Sequence, residues 1–246
     1  VEENHMYIRI ASNDFFAVSK DVVSKMIAGK LTAEQAYQAF NAQLIAEEEP
    51  ADNETVLTSG KGYSNVFHAN GGNAAFSVMA NTLRGVYGTD VLLATANSFT
   101  GSVLQADYNK KMAASMIMPN GLMSRQRTMT GAELKETVRA FVEGCEGGFV
   151  PFNRGSLPVV SGIAVEVKEA GGSYTLTGIT RNGQPLGDDD TVTVTCLAAE
   201  KQLDTLLASE SGTSAGEDAW VKNTWRDYVS GGKAVLAEPE NYMTLR

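Results

Sequence analysis

The stretch GNAAFSVMANTLRGVYGTDVLLA, residues 72–94, carries a helix and a strand in succession. Phe76, Met79, Ala80 and Leu83 recur at helical spacing, which predicts a helix from Ala74 to Val86 with one apolar face. Val91-Leu92-Leu93-Ala94 is a short apolar run of the kind that forms a buried strand. A second helix is predicted from Thr130 to Gly144. There Thr130-Gly131-Ala132-Glu133 has the spacing of a capping box, in which hydroxyl and carboxylate satisfy each other's backbone amides.

From that point the pattern turns to strands. Ile163–Val167, Tyr174–Ile179 and Thr191–Leu197 alternate or carry β-branched residues. Asn182-Gly183 between two of them signals a tight hairpin turn. Gly187-Asp188-Asp189-Asp190 reads as a second, solvated turn. A final helix is expected from about Asp218 to Ser230, bearing Trp220, Trp225, Tyr228 and Val229. Helices and strands mixed in this order give an α+β (mixed α/β) fold.

Ahead of this region, residues 13 to 49 read as two helices. The first, Asp14 to about Lys30, places Phe15, Val18, Val22, Val23, Met26 and Ile27 at helical spacing. The second starts at Thr32, a capping residue, and runs through Tyr37, Phe40 and Leu44. The polar stretch Ala51–Ser64 is taken as a boundary. It divides a helical N-terminal appendage, residues 1–55, from a larger domain, residues 56–246. The chain opens at Val1 without a Met, as a processed product would, and the expectation is that a further region precedes it.

Among 246 residues, 43% are hydrophobic, enough for a substantial core. The net charge of −9 repels a phosphate backbone, so nucleic acid is excluded as a general partner. A free nucleotide is not excluded, because a pocket can differ in sign from the whole surface. No apolar run is long enough to span a bilayer as a helix. The two cysteines, Cys145 and Cys196, lack CxxC spacing and read as ordinary semi-buried thiols; whether they lie close enough to pair is open.

Several stretches together resemble the C-terminal domain of the 5'-nucleotidase family. They are Gly72-Asn73 through Leu83-Arg84, then Gly88-Thr89-Asp90-Val91-Leu92-Leu93 leading into Ala94-Thr95-Ala96-Asn97. Thr130-Gly131-Ala132-Glu133-Leu134-Lys135 is similar to the family's helix start, and is the most specific piece. Gly162-Ile163, Asn182-Gly183-Gln184-Pro185-Leu186 and Thr191-Val192-Thr193-Val194 follow its hairpin region in order. Trp225-Arg226-Asp227-Tyr228 to Arg246 looks like its closing helix and last strand. The resemblance covers roughly residues 60 to 246.

The resemblance implies a division of labour. A separate upstream domain, of metallophosphoesterase type, holds two divalent metals. This domain binds the nucleoside part of a nucleotide and delivers the phosphate to them. No catalytic residue and no cofactor are then expected in this chain. The partners are a nucleotide or nucleoside ligand and the upstream domain of the same protein. The place of action is extracellular, periplasmic or the cell surface. By the same carry-over, the substrate-binding positions are Asn97, Phe99, Asn120 and Gly121.

The substrate-clamp loops depart from the family's pattern. Where the family has glycines followed by an arginine, this chain has Asn97-Ser98-Phe99-Thr100-Gly101-Ser102. Where it has Pro-Phe-Gly-Asn, with a ring that stacks on the base, this chain has Met118-Pro119-Asn120-Gly121. The late Gly-Gly-Asp-Gly-aromatic loop is replaced by Ala198-Ala199-Glu200-Lys201 and an insertion to Gly216. Each lost ring removes about 1–3 kcal/mol of stacking. Phe99 is either a substitute platform or a core plug. Arg125 and Arg127, alternating with Gln126 and Thr128, suit a strand with a charged face to solvent. The loop Gly147-Gly148-Phe149-Val150-Pro151-Phe152-Asn153-Arg154 reads first as a structural loop and second as a candidate replacement binding edge.

His5 and His68 stand apart, without an Asp-x-His motif, and read as ordinary loop or surface residues. No Gly-x-Ser-x-Gly, phosphate-binding loop or dinucleotide fingerprint occurs. Two readings therefore stand. One is the substrate-recognition domain of a secreted 5'-nucleotidase-like phosphoester hydrolase, not catalytic alone. The other is a degenerate, non-catalytic binding or spacer module of a cell-surface protein.

Overall fold

The computed structural model describes residues 5–11, 14–19, 28–30, 54–66, 72–95, 98–117, 122–143, 158–170, 173–200, 203–204, 207, 212–232, 234–240 and 243–245. The chain divides into two compact units, Val1–Glu54 and Thr55–Arg246.

The first unit contains a hairpin of β1 (His5–Ala11) and β2 (Asp14–Ser19), antiparallel with His5 opposite Ser19. The helix predicted to begin at Asp14 is therefore a strand over its first six residues. The physical reason is compositional. Asp14-Phe15-Phe16-Ala17-Val18-Ser19 is rich in aromatic and β-branched residues, and such short runs fit a pleated surface when a partner such as Met6-Tyr7-Ile8 is at hand. The remainder of that predicted helix, apart from the turn at 28–30, and all of the one from Thr32 lie outside the described residues.

The second unit opens with β3 (Thr55–Ser59), inside the stretch read as a polar boundary. Its Val56 and Leu57 are buried while Thr58 faces out. It pairs antiparallel with β5 (Ala106–Asn109). Between them come α1 (Ala74–Tyr87) and β4 (Val91–Thr95), close to the predicted bounds. Asn73 caps α1 by accepting the Phe76 N–H at 3.0 Å. The short α2 (Lys110–Ala114) precedes β6 (Leu122–Thr130) and α3 (Gly131–Glu143). The capping box forms as expected: Thr130 N–H donates to Glu133 Oε2 at 2.7 Å, and Glu133 N–H to Thr130 Oγ1 at 3.2 Å.

Then follow β7 (Pro158–Ser161), β8 (Ala164–Ala170), β9 (Ser173–Arg181), β10 (Gln184–Pro185) and β11 (Thr191–Ala199). Asn182 and Gly183 join β9 to β10 with φ of 52° and 74°, the left-handed pair that a two-residue hairpin demands. Last come β12 (Thr213–Ser214), β13 (Ala219–Trp220), α4 (Val221–Ser230) and β14 (Met243–Leu245). The final helix starts three residues later than predicted, because Ala219 and Trp220 pair with β6 before the chain turns helical.

A mixed sheet in the order β12–β6–β11–β4–β7 forms the middle layer. β4 and β11 run parallel, while β6 and β7 run antiparallel to them. β4 is buried along its whole length, so both its faces are apolar. Leu92 and Ala94 face α1 and α4, packing with Phe76, Leu83 and Trp225. Val91 and Leu93 face α3 and a second sheet, β10–β9–β8–β14, packing with Leu134, Val165 and Ile179. The described part of this unit is thus a stack of helices, sheet, and helix with a second sheet, the α+β architecture expected. No described helix is long and apolar enough to cross a membrane.

Candidate functional site

The two ends of β4 open onto different surroundings. Its C-terminal end is where ligands of open α/β sheets commonly bind, and the loop from Asn97 to Ser102, expected from the family resemblance to meet substrate, follows it. Thr95 and Ser98 are buried, their hydroxyls 3.3 Å apart, and Ser98 Oγ reaches the Leu197 carbonyl at 3.5 Å. Phe99 is 4% exposed. Its ring lies 5.8 Å from that of Phe76, tilted by 43°, under α1. A ring so covered has no free face for a base, and in this structure it fills core. The backbone at Phe99 pairs with Ile117, and the Thr100 N–H donates to the Met116 carbonyl at 3.2 Å, closing this loop onto the segment after α2. Asn97, Asn120 and Gly121, with the 147–154 loop, lie outside the described residues.

Arg125 departs from expectation. Its side chain is only 13% exposed rather than presented to solvent. Nε and Nη2 fork onto Asp218, the closest contact being 2.7 Å, and Nη1 donates to Asp204 Oδ1 at 2.8 Å. These bonds to Asp218 first, then Asp204, raise the guanidinium's affinity for its proton. Arg125 thereby ties both ends of the segment following β11 to the middle sheet. Arg127, two residues along, donates to the Gln126 carbonyl at 3.3 Å. Register places Cys196 opposite Arg125. Cys196 is a free, fully buried thiol, and burial pushes its pKa up to about 12.

The N-terminal end of β4 faces a polar cleft of about 400 Å³ in the same unit. Asp90 anchors it. Asp90 Oδ2 accepts from both the N–H and the hydroxyl of Thr193, each at 2.9 Å, and Oδ1 accepts from Arg181 Nη2 at 2.5 Å. Burial works to raise the Asp90 pKa, but the Thr193 bonds and the charges of Arg181 and Arg84 outweigh it. The carboxyl is held below its ordinary range. Arg84, at the end of α1, donates from Nε to Ser161 Oγ at 2.8 Å, and Ser161 donates onward to Asn81 Oδ1 at 2.5 Å. Asn182 and Gly183 of the hairpin, Gly162 and Glu240 complete the rim. In the sequence Asp90 stands only within the Gly88–Leu93 stretch and Asn182-Gly183 only as a turn. No local signal marks either as a site or joins them to Arg84, Arg181 or Glu240, which lie far apart in the chain.

Among the described residues no group of three or more His, Cys, Asp and Glu is arranged to hold a metal. The acidic turn is used locally: Asp190 accepts the Gly187 N–H at 2.8 Å and Asp188 pairs with Lys135 at 2.6 Å.

No family model matches the sequence, and no characterised protein matches it at the sequence level. Solved structures do match in fold. A 5'-nucleotidase precursor from Thermus thermophilus superimposes over 87% of this chain and 43% of its own, with a TM-score of 0.57 at 13% identity. NAD nucleotidase of Haemophilus influenzae covers 98% of this chain and 48% of its own, with a TM-score of 0.55 at 15% identity. The sulfate thiohydrolase SoxB of Thermus thermophilus covers 95% and 42%, with a TM-score of 0.60 at 14% identity. At such identities the likeness is one of fold. The chain spans less than half the length of each of these proteins, and its α+β fold is one that 5'-nucleotidase structures contain.

Proposed function

We propose that this chain is the C-terminal, substrate-recognition domain of a 5'-nucleotidase-like phosphoester hydrolase and that it is not catalytic alone. The observation that carries the reading is the fold likeness to 5'-nucleotidases over nearly the whole of this chain and less than half of theirs. The ordered run of motifs from Gly72-Asn73 through Thr191-Val192-Thr193-Val194 supports the same assignment. In this reading the metals that activate water and neutralise the phosphoryl oxygens belong to an upstream domain. This domain contributes position, holding base and ribose so that the phosphate meets the metals in a productive geometry. The enclosing protein acts outside the cytoplasm, in the periplasm or at the cell surface, a placement that rests on the family resemblance.

Burial of Phe99 favours a second reading. With that ring committed to the core, and with no arginine in the loop from Asn97 to Ser102, stacking and charge-assisted contacts are both missing at the expected position. A domain in that condition serves as a non-catalytic module that keeps the fold without the ligand. Calorimetric titration with adenosine, AMP and UDP-glucose separates the two. Saturable heat supports substrate recognition, and its absence with all three supports the module.

A further inference from the structure

The cleft at the N-terminal end of β4 holds four charges, of which two are joined in an ion pair. Asp90 is satisfied by Thr193 and Arg181, and Arg181 has Asp90 at 2.5 Å. The other two are Arg84 and Glu240. Arg84 uses only Nε, on a Ser161 that is fully buried and itself fixed by Asn81. Both terminal nitrogens of its guanidinium are without a partner among the described residues. A guanidinium held by one edge presents the other as a rigid fork for an oxyanion.

Glu240 is fixed differently. Its carbonyl accepts from Ser77 Oγ at 2.8 Å and its N–H donates to the same oxygen at 2.9 Å, so the backbone is pinned to α1. Asn81 Nδ2 pins the neighbouring Glu238 carbonyl at 2.7 Å. The Glu240 carboxylate has no hydrogen-bond or ion-pair partner among the described residues. Although both residues line the same cleft, Arg84 and Glu240 do not form an ion pair with each other.

We infer that this cleft binds a small zwitterion of the free α-amino-acid class, its carboxylate on the Arg84 fork and its ammonium on Glu240. A simple anion is disfavoured by Glu240, and a simple cation by Arg84, whereas a molecule carrying both charges satisfies both. The volume of about 400 Å³ equals roughly thirteen waters' share of liquid, ample for an amino acid. Arg84 is held by its side chain and Glu240 by its backbone before the ligand arrives, so the ordering that opposes binding is confined to the Glu240 side chain. The site lies at the opposite end of β4 from the loop expected to meet a nucleotide, so its failure or success leaves the nucleotide reading untouched.

The test is an NMR titration of the folded chain with glycine and L-alanine, alongside acetate and methylammonium, each of which carries half the charge pattern. Saturable shifts at the amides of Thr89, Gly162, Asn182 and Gly183 are expected with the amino acids, at lower concentration than with either half. Glu240→Gln, at an exposed side chain, is expected to fold as the parent does and to weaken amino-acid binding about tenfold, the loss of one charged hydrogen bond. Arg84→Lys is expected to weaken it as well. Absence of saturable shifts, equal binding of acetate and glycine, or full affinity in Glu240→Gln would each overturn the assignment.

Discussion

Phe99→Ala separates a core role from a ligand-platform role. The side chain is 4% exposed and packs on Phe76 at a centroid distance of 5.8 Å. Truncating a buried phenylalanine costs about 3–5 kcal/mol, because transfer energy is lost and a cavity remains. Part of that cost is the aromatic pair itself, about 0.5–1.5 kcal/mol. Thr95, Ser98 and Ile117 are hydrogen-bonded or paired around it, which limits how far the site can collapse and favours the upper half of the range. For a domain of this size each kcal/mol moves Tm by about 2–4 °C, so a fall of roughly 6–20 °C is expected. Urea unfolding followed by far-UV circular dichroism measures the same loss as a lower midpoint at unchanged slope. Phe99→Leu, which keeps most of the volume, should recover the greater part. A Phe99→Ala protein that loses less than about 1 kcal/mol while losing affinity for AMP would refute the packing argument.

Other perturbations test the same frame. In Gly131→Ala the new Cβ would stand 1.8 Å from the Gly187 carbonyl oxygen, a backbone atom locked by the neighbouring turn. Overpacking of about 1–3 kcal/mol or more should outweigh the helix-propensity gain of about 1 kcal/mol, seen as a lowered urea midpoint rather than a raised one. Trp225→Phe keeps a buried ring but removes the Nε1–H bond to the Ala113 carbonyl at 2.7 Å. A loss of about 1–3 kcal/mol is expected, and the fluorescence left, from half-exposed Trp220, should be red-shifted. For Asp90 the folded carboxyl lies below its unfolded value of about 3.9. Its stabilisation is therefore complete above the unfolded pKa and is lost as pH falls through the folded one. Asp90→Asn should flatten the acid limb of a stability-versus-pH profile below about pH 5, and an unchanged limb would contradict this.

What the sequence discloses follows the range of the interaction responsible. The α1–β4 pair, the Thr130–Glu133 box and the Asn182-Gly183 hairpin are set by residues within a few positions of one another, and all three appear as read. β2 escapes a local reading because its short run, with Phe15, Phe16 and Val18, fits a helix face or a strand equally until a partner strand is known. β3 is hidden by its Thr and Ser residues, whose polarity suits a loop as well as it suits the edge where Thr58 donates to Asp107. The fate of Phe99 depends on Phe76, across a strand and a turn. Arg125 meets Asp204 and Asp218 at separations of 79 and 93 residues, which no local pattern encodes. The cleft charges at Arg84, Arg181 and Glu240 come from α1, β9 and the irregular segment after α4, and converge only in the fold.

Isothermal titration of the isolated chain with AMP, adenosine and UDP-glucose, without added metal, decides whether it is a substrate-recognition domain of the kind proposed. Saturable binding in the micromolar range is expected, retained in the amino-acid-cleft variant Glu240→Gln. No heat with any of the three ligands, from protein shown to be folded, would contradict it and leave a 5'-nucleotidase-like fold used as a non-catalytic module.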